Sequence, residues 1–145
     1  DLISLFRINK GAELSNLKDC DYQRLHNLLM EAEKQSCLTV KGVFKSEKLI
    51  CGGVFIKFKN RIIFIFSCNT SQGRDCGALF YLLNSIIKQY SCSGFILDFE
   101  GSQNKGLARF YSGFGAKEEG YKFYRHNNLP TFLRRIKNTL QFCFF

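Results

Sequence analysis

Residues 61–90, RIIFIFSCNTSQGRDCGALFYLLNSIIKQY, decide the fold. From Arg61 to Cys68 the chain is apolar on both faces, as a strand in the interior of a sheet is. From Ala78 to Tyr90 the apolar pairs Ala78/Leu79, Leu82/Leu83 and Ile86/Ile87 recur every three to four residues, which predicts an amphipathic helix. A buried strand therefore runs into a helix through a short glycine-containing, basic junction, Ser67 to Ala78.

Upstream, Leu49–Lys59 reads as the other arm of a hairpin around Asn60, and Gly52–Gly53 marks a bulge or a close backbone contact. Leu38–Phe44 is a further strand and Leu2–Ile8 a short one, and a helix from Asp19 or Asp21 to Lys34 carries Tyr22, Leu25, Leu29 and Ala32 on one face. Downstream, Phe95–Glu100 reads as a buried strand. Leu107, Phe110, Tyr111 and Phe114 share a helical stripe that stops at Gly115, placed as a left-handed cap. Ala116–His126 alternates as one or two antiparallel strands. Pro130 then opens a basic helix with Leu129, Phe132, Leu133, Ile136 and Leu140 apolar. This order predicts an α+β domain: a mixed, mostly antiparallel central sheet flanked by helices, one domain over residues 1–145.

Composition agrees with one folded domain. The chain is 145 residues long with 46% hydrophobic content and a single Pro, so it has a core to bury and no linker or low-complexity tract. The longest apolar run, Ile62–Phe66, is far short of the roughly 18–20 residues that cross a bilayer. Seven cysteines without a C-x-x-C pair or a His at ligand spacing suit a reducing cytosol better than a disulfide framework or a zinc site. The net charge is +9, and no acid follows Gly120, whereas Lys122, Arg125, Arg134, Arg135 and Lys137 do. Such a face suits an anionic partner, a phosphorylated cofactor, RNA or a lipid surface, or simply keeps the chain soluble.

Two strand-to-helix junctions carry the candidate chemistry. At the first, the start of a helix together with Arg74 and the glycines Gly73 and Gly77 would suit a phosphate, although neither a G-x-x-x-x-G-K-S/T nor a G-x-G-x-x-G loop is present. At the second, Asp98 and Glu100 alternate onto one face of a strand, and Tyr111 follows on the next helix, so a carboxylate base and a phenolic acid could flank a reacting carbonyl. Each group also has an ordinary structural reading, Tyr111 as core and the carboxylates as ion-pair partners. The chain has two histidines, His26 and His126, and a Cys68–His126 pairing for nucleophilic catalysis has no further support.

Residues 104–117, NKGLARFYSGFGAK, resemble the "N-x-x-A-x-x-x-Y-x-x-x-G-F" segment of the GNAT acyltransferase superfamily, with Asn104, Tyr111 and Gly115 in register and Leu107 and Ala116 departing. Residues 74–79, RDCGAL, resemble its "Q/R-x-x-G-x-G/A" acyl-CoA loop, with Leu79 in place of the last small residue. Asp98–Ser102 and Ala108–Ala116 look especially like bacterial members related to the Fem-type aminoacyltransferases, which often carry two such domains in tandem.

The resemblance implies an N-acetyltransferase that moves an acyl group from acetyl-CoA to a small-molecule or peptide amine. The strand at Phe66 and Cys68 would pair with the pantetheine arm and offer an N–H to the thioester oxygen. Gly73, Arg74, Gly77 and Ala78 would surround the pyrophosphate, and Asn104 would hold the arm from the other side. Tyr111 would protonate the departing thiolate, with Glu100, or Asp98 through a water, as base. The Fem-type variant implies aminoacyl-tRNA as donor and a second GNAT domain or a homo-oligomer as partner. A non-catalytic module of the same fold is the remaining reading.

Overall fold

The computed structural model describes residues 2–9, 17–100, 104–120, 122 and 124. Its central feature is the predicted hairpin. β2 (Lys48–Phe58) and β3 (Arg61–Asn69) pair antiparallel through a turn at Lys59–Asn60, and β1 (Leu38–Lys45) pairs antiparallel with β2. A short β4 (Ile96–Asp98) joins β3 in parallel, giving the order β1-β2-β3-β4. β3 is interior, as its apolar run requires.

Helices cover both faces. Successive side chains of a strand point to opposite faces. A side chain at Gly52 would collide with Leu2 of α1 (Leu2–Asn9), whereas one at Gly53 would come within 3.1 Å of Leu82 of α4 (Ala78–Tyr90). The two glycines thus admit a helix on each side. The bulge lies beside them, where Val54 pairs with Phe66 and Phe55 with Phe64, leaving Ile65 as the extra residue in β3. It reverses the alternation, so Ile62 and Phe64 pack on the α4 side while Phe66, opposite Val54, meets Phe6 of α1 edge to face at 5.1 Å.

The core on the α4 side gathers Ile50, Cys51, Phe55, Ile62, Phe64, Ala78, Leu82, Leu83 and Ile86. α2 (Asp19–Lys34) buries Leu29 and Ala32, on the predicted stripe. The Asp21 carboxylate accepts the Lys18 N–H at 3.0 Å at its start, and that bond, with Arg24 beside it, holds the carboxyl below its ordinary range.

Several expectations are corrected. Leu2–Asn9 is a helix and not a strand, because its 3–4 spacing lets Leu2 seat on Gly52 and Phe6 on Phe66. A five-residue helix, α3 (Ser71–Asp75), intervenes between β3 and α4. β4 is shorter than Phe95–Glu100 and only half-buried, with Ile96 exposed. α5 (Lys105–Ser112) ends at Gly113, and Gly115, three residues past the helix end, takes the left-handed conformation at φ 81°. The described part of Ala116–His126 contains no strand, and the Pro130 helix lies outside the described residues. No helix among the described residues is long and apolar enough to cross a membrane.

Candidate functional site

The β3–β4 pairing covers Arg61 with Ile96, Ile62 with Leu97 and Ile63 with Asp98, then stops. Beyond Ile63, about 20 Å of the β3 edge, residues 64–69, faces no strand among the described residues. Backbone N–H and C=O groups along such an edge are open to an extended ligand that pairs as a strand would. Phe66 and Cys68 lie on this stretch, and the Ile65 bulge sits within it.

At the end of the open edge the chain turns through Thr70 into α3. The Thr70 hydroxyl accepts the Gly73 N–H at 3.0 Å, so Gly73 is part of the cap and does not offer its amide to a ligand. Gly73 is required sterically: a Cβ there would collide with the Ile50 carbonyl oxygen and with Asn69 Oδ1. Arg74 is exposed and donates from Nη1 to the Asn69 carbonyl at 2.9 Å. Gly77 takes φ 68° with open space around it, so conformation is what asks for glycine there. As N-cap of α4 it carries no capping side chain, and the amides of Ala78, Leu79 and Phe80 donate to no backbone carbonyl among the described residues. Free amides at the start of a helix can meet an anion. The Ala78 side chain is buried and Leu79 packs against the core, so the bulk at Leu79 is directed inward.

The second junction divides. Asp98 pairs with Arg61, 2.8 Å from Oδ2 to Nη1, and Glu119 lies 3.6 Å from the same guanidinium. Its register opposite Ile63 sets it about 16 Å along the sheet from Cys68. Glu100 lies beyond the strand at φ 63°, so alternation does not put it on the face of Asp98. Instead its N–H donates to Asp98 Oδ1 at 2.9 Å, and the Glu100 side chain is exposed. Asn104 is the N-cap of α5, its Oδ1 accepting the amides of Gly106 at 2.9 Å and Leu107 at 3.3 Å. Tyr111 is half-buried and stacked on Phe99 at 4.5 Å and 14°, with Phe110 beside it. Burial holds its phenol above the ordinary value, so it carries its proton at neutral pH.

The Cys68 thiol is likewise pushed up by burial, and Cys51, under desolvation and the neighbouring thiols Cys68 and Cys76, is pushed up to about 12. Neither is poised as a nucleophile, and His126 lies outside the described residues. A separate cleft of about 320 Å³ lies at the far end of α4, between Tyr90, Phe95, Leu97 and Phe114, and contains none of the candidate residues. Thr70, Phe99 and Arg61 were not singled out as site residues by sequence. The Thr70-Ser-Gln-Gly run before a helix was the available signal for the first, but the partners of Phe99 and Arg61 are set by tertiary packing.

No family model matches the chain, and no curated protein matches it. Solved structures do. A possible acetyltransferase from Clostridium difficile 630 superposes with a TM-score of 0.63 at 12% identity over 88% of this chain and 87% of that one. AAC(6')-Iy in complex with the bisubstrate analogue CoA-S-monomethyl-acetylneamine gives 0.61 at 12% identity over 86% and 91%. A ribosomal-protein-alanine N-acetyltransferase from Brucella melitensis biovar Abortus 2308 gives 0.58 at 11% identity over 86% and 92%. The chain has the fold of these acetyltransferases, the GNAT-like α+β arrangement.

Proposed function

We propose that the protein is an acyltransferase that moves an acetyl or related acyl group from acyl-CoA to an amine. The observation that carries the reading is the edge of β3 that faces no strand among the described residues, which leads directly to Arg74 and the start of α4 without a capping side chain. An extended donor with a polyanionic end has what it needs there: backbone groups along the edge and positive charge at its close. Phe66 and Cys68 would offer backbone groups to the pantetheine arm. Arg74 and the amides at Gly77 and Ala78 would hold the pyrophosphate, with Gly73 shaping the turn from beneath. When bound, the donor supplies an activated thioester.

The remaining roles belong to this chain's own groups. An amide N–H on this edge of β3 would meet charge building on the acyl oxygen. Tyr111, protonated at neutral pH and fixed by the Phe99 stack, would give its proton to the sulfur as the C–S bond breaks. Glu100 would accept the proton that the amine loses as its N–C bond forms, with Asp98 holding the Glu100 backbone in place. Asn104 would act through the start of α5, which it caps and which carries Tyr111.

The test is turnover of acetyl-CoA over a panel of small-molecule and peptide amines, with Tyr111→Phe in parallel. The expected result is CoA release dependent on an amine, with kcat lowered on the order of 10²-fold in Tyr111→Phe and KM for acetyl-CoA unchanged. Equal kcat in the variant removes Tyr111 from the chemistry. Transfer from aminoacyl-tRNA but not from acetyl-CoA would replace the donor by that of the Fem-type variant.

A further inference from the structure

We infer that Thr70 is a positioning residue for the anionic end of the donor, acting through Arg74; this rests on the acyl-donor reading and adds to it the residue that sets the loop. The amide and the hydroxyl of Thr70 both donate to the Ile50 carbonyl, at 2.9 and 3.0 Å, which ties the residue after β3 to β2 by two bonds. The hydroxyl oxygen also accepts the Gly73 N–H at 3.0 Å, and the Thr70 carbonyl accepts the Arg74 N–H at 2.9 Å. One side chain therefore fixes the turn at both its ends, and Arg74 leaves the backbone at a place that Thr70 determines.

The Arg74 guanidinium is then tied back to the residue before Thr70, through the Asn69 carbonyl at 2.9 Å. An exposed arginine ordinarily samples many rotamers and loses that freedom when it grips an anion. Here the ordering is done before the ligand arrives. One of the five guanidinium donors is engaged and four remain for a phosphate. The fit of the turn on β2 is close enough that Gly73 leaves no room for a methyl group against the Ile50 carbonyl. Only Thr or Ser can both donate to Ile50 and accept from Gly73 with a hydroxyl at this position.

The experiment is calorimetric titration of the full chain with CoA, for wild type, Thr70→Val, Thr70→Ser, Arg74→Ala and the double variant Thr70→Val/Arg74→Ala. The expected result is about a tenfold loss of affinity in Thr70→Val, the factor that one hydrogen bond to a charged group commands, with Thr70→Ser close to wild type. In the Arg74→Ala background, Thr70→Val should add no further loss, because its effect passes through the missing guanidinium. Losses that multiply, or a Thr70→Ser variant as weak as Thr70→Val, overturn the assignment while leaving the donor site standing. Wild type that fails to bind CoA overturns both. Arginine side-chain N–H relaxation on the ligand-free wild type needs no variant: an ordered Arg74 guanidinium supports the inference, and one as mobile as a free surface arginine overturns it.

Discussion

Gly73→Ala puts a methyl group where the turn after β3 meets β2. The added Cβ would collide with the Ile50 carbonyl oxygen and with Asn69 Oδ1, and would lie 3.2 Å from the Ile50 carbonyl carbon. The Asn69 side chain can rotate away. The Ile50 carbonyl cannot move without stretching the two bonds it accepts from Thr70, at 2.9 and 3.0 Å. Overpacking of about 1–3 kcal/mol and one or two weakened hydrogen bonds at about 1 kcal/mol each act together. The gain in helix propensity from Gly to Ala, about 1 kcal/mol, offsets part of this. A net loss of roughly 2–3 kcal/mol corresponds to a fall in Tm of roughly 6–12 °C for a domain of this size. Gly77→Ala is the control. It meets open space and suffers only from its left-handed φ of 68°, so it should lose about 1 kcal/mol. Thermal and urea melts followed by circular dichroism measure both. A Gly73→Ala protein that melts within 2 °C of wild type (about 1 kcal/mol or less by the same conversion), or above Gly77→Ala, would refute the seating of α3 on Ile50.

The exposed thiols Cys20, Cys76 and Cys92 should react with a disulfide reagent in the folded protein, while Cys51 and Cys68 should react only on unfolding, as peptide mapping by mass spectrometry would show. Tyr111 has its pKa raised by burial above the unfolded value, so the stability it contributes is present below about pH 10 and is lost as pH rises through the folded pKa. Melts at alkaline pH should therefore fall less steeply in Tyr111→Phe, and identical slopes would count against a buried phenol. Asn104→Ala removes the cap of α5 and should cost about 1 kcal/mol, with Asn104→Ser recovering most of it in the same melts. Asp98→Asn should loosen the Glu100 turn and the link to Arg61, detected as faster amide exchange at Glu100 with the β2–β3 hairpin unaffected.

What could be read from the sequence follows the length and regularity of each signal. The hairpin, α2 and α4 were legible because each has a long apolar period bounded by turn residues. Leu2–Asn9 was not, since Leu2, Ser4, Phe6 and Ile8 alternate as a strand would while Leu2, Leu5, Phe6 and Asn9 also repeat as a helix does. Over eight residues only packing decides between them, here Leu2 on Gly52 and Phe6 on Phe66. The bulge at Ile65 was hidden because every residue from Ile62 to Phe66 is apolar, so a slip in register leaves the pattern unchanged. Around the two junctions, the helix that follows Gly77 and the helix that carries Tyr111 were legible from their apolar stripes. The partner of Asp98 was not, because Arg61 is 37 residues away and the strand pairing that joins them lasts only three residues.

A donor site along the β3 edge that faces no described strand, ending towards Arg74, is the claim on which the functional reading depends. Thermal melts and calorimetry with acetyl-CoA, on wild type and on Arg74→Glu, test it most directly. The expected result is a saturable stabilisation of wild type, about 2.7 kcal/mol at a hundredfold excess over Kd, that disappears in Arg74→Glu although the two proteins melt alike without ligand. No shift in wild type, or the same shift in both, would contradict a donor site at this end of the sheet.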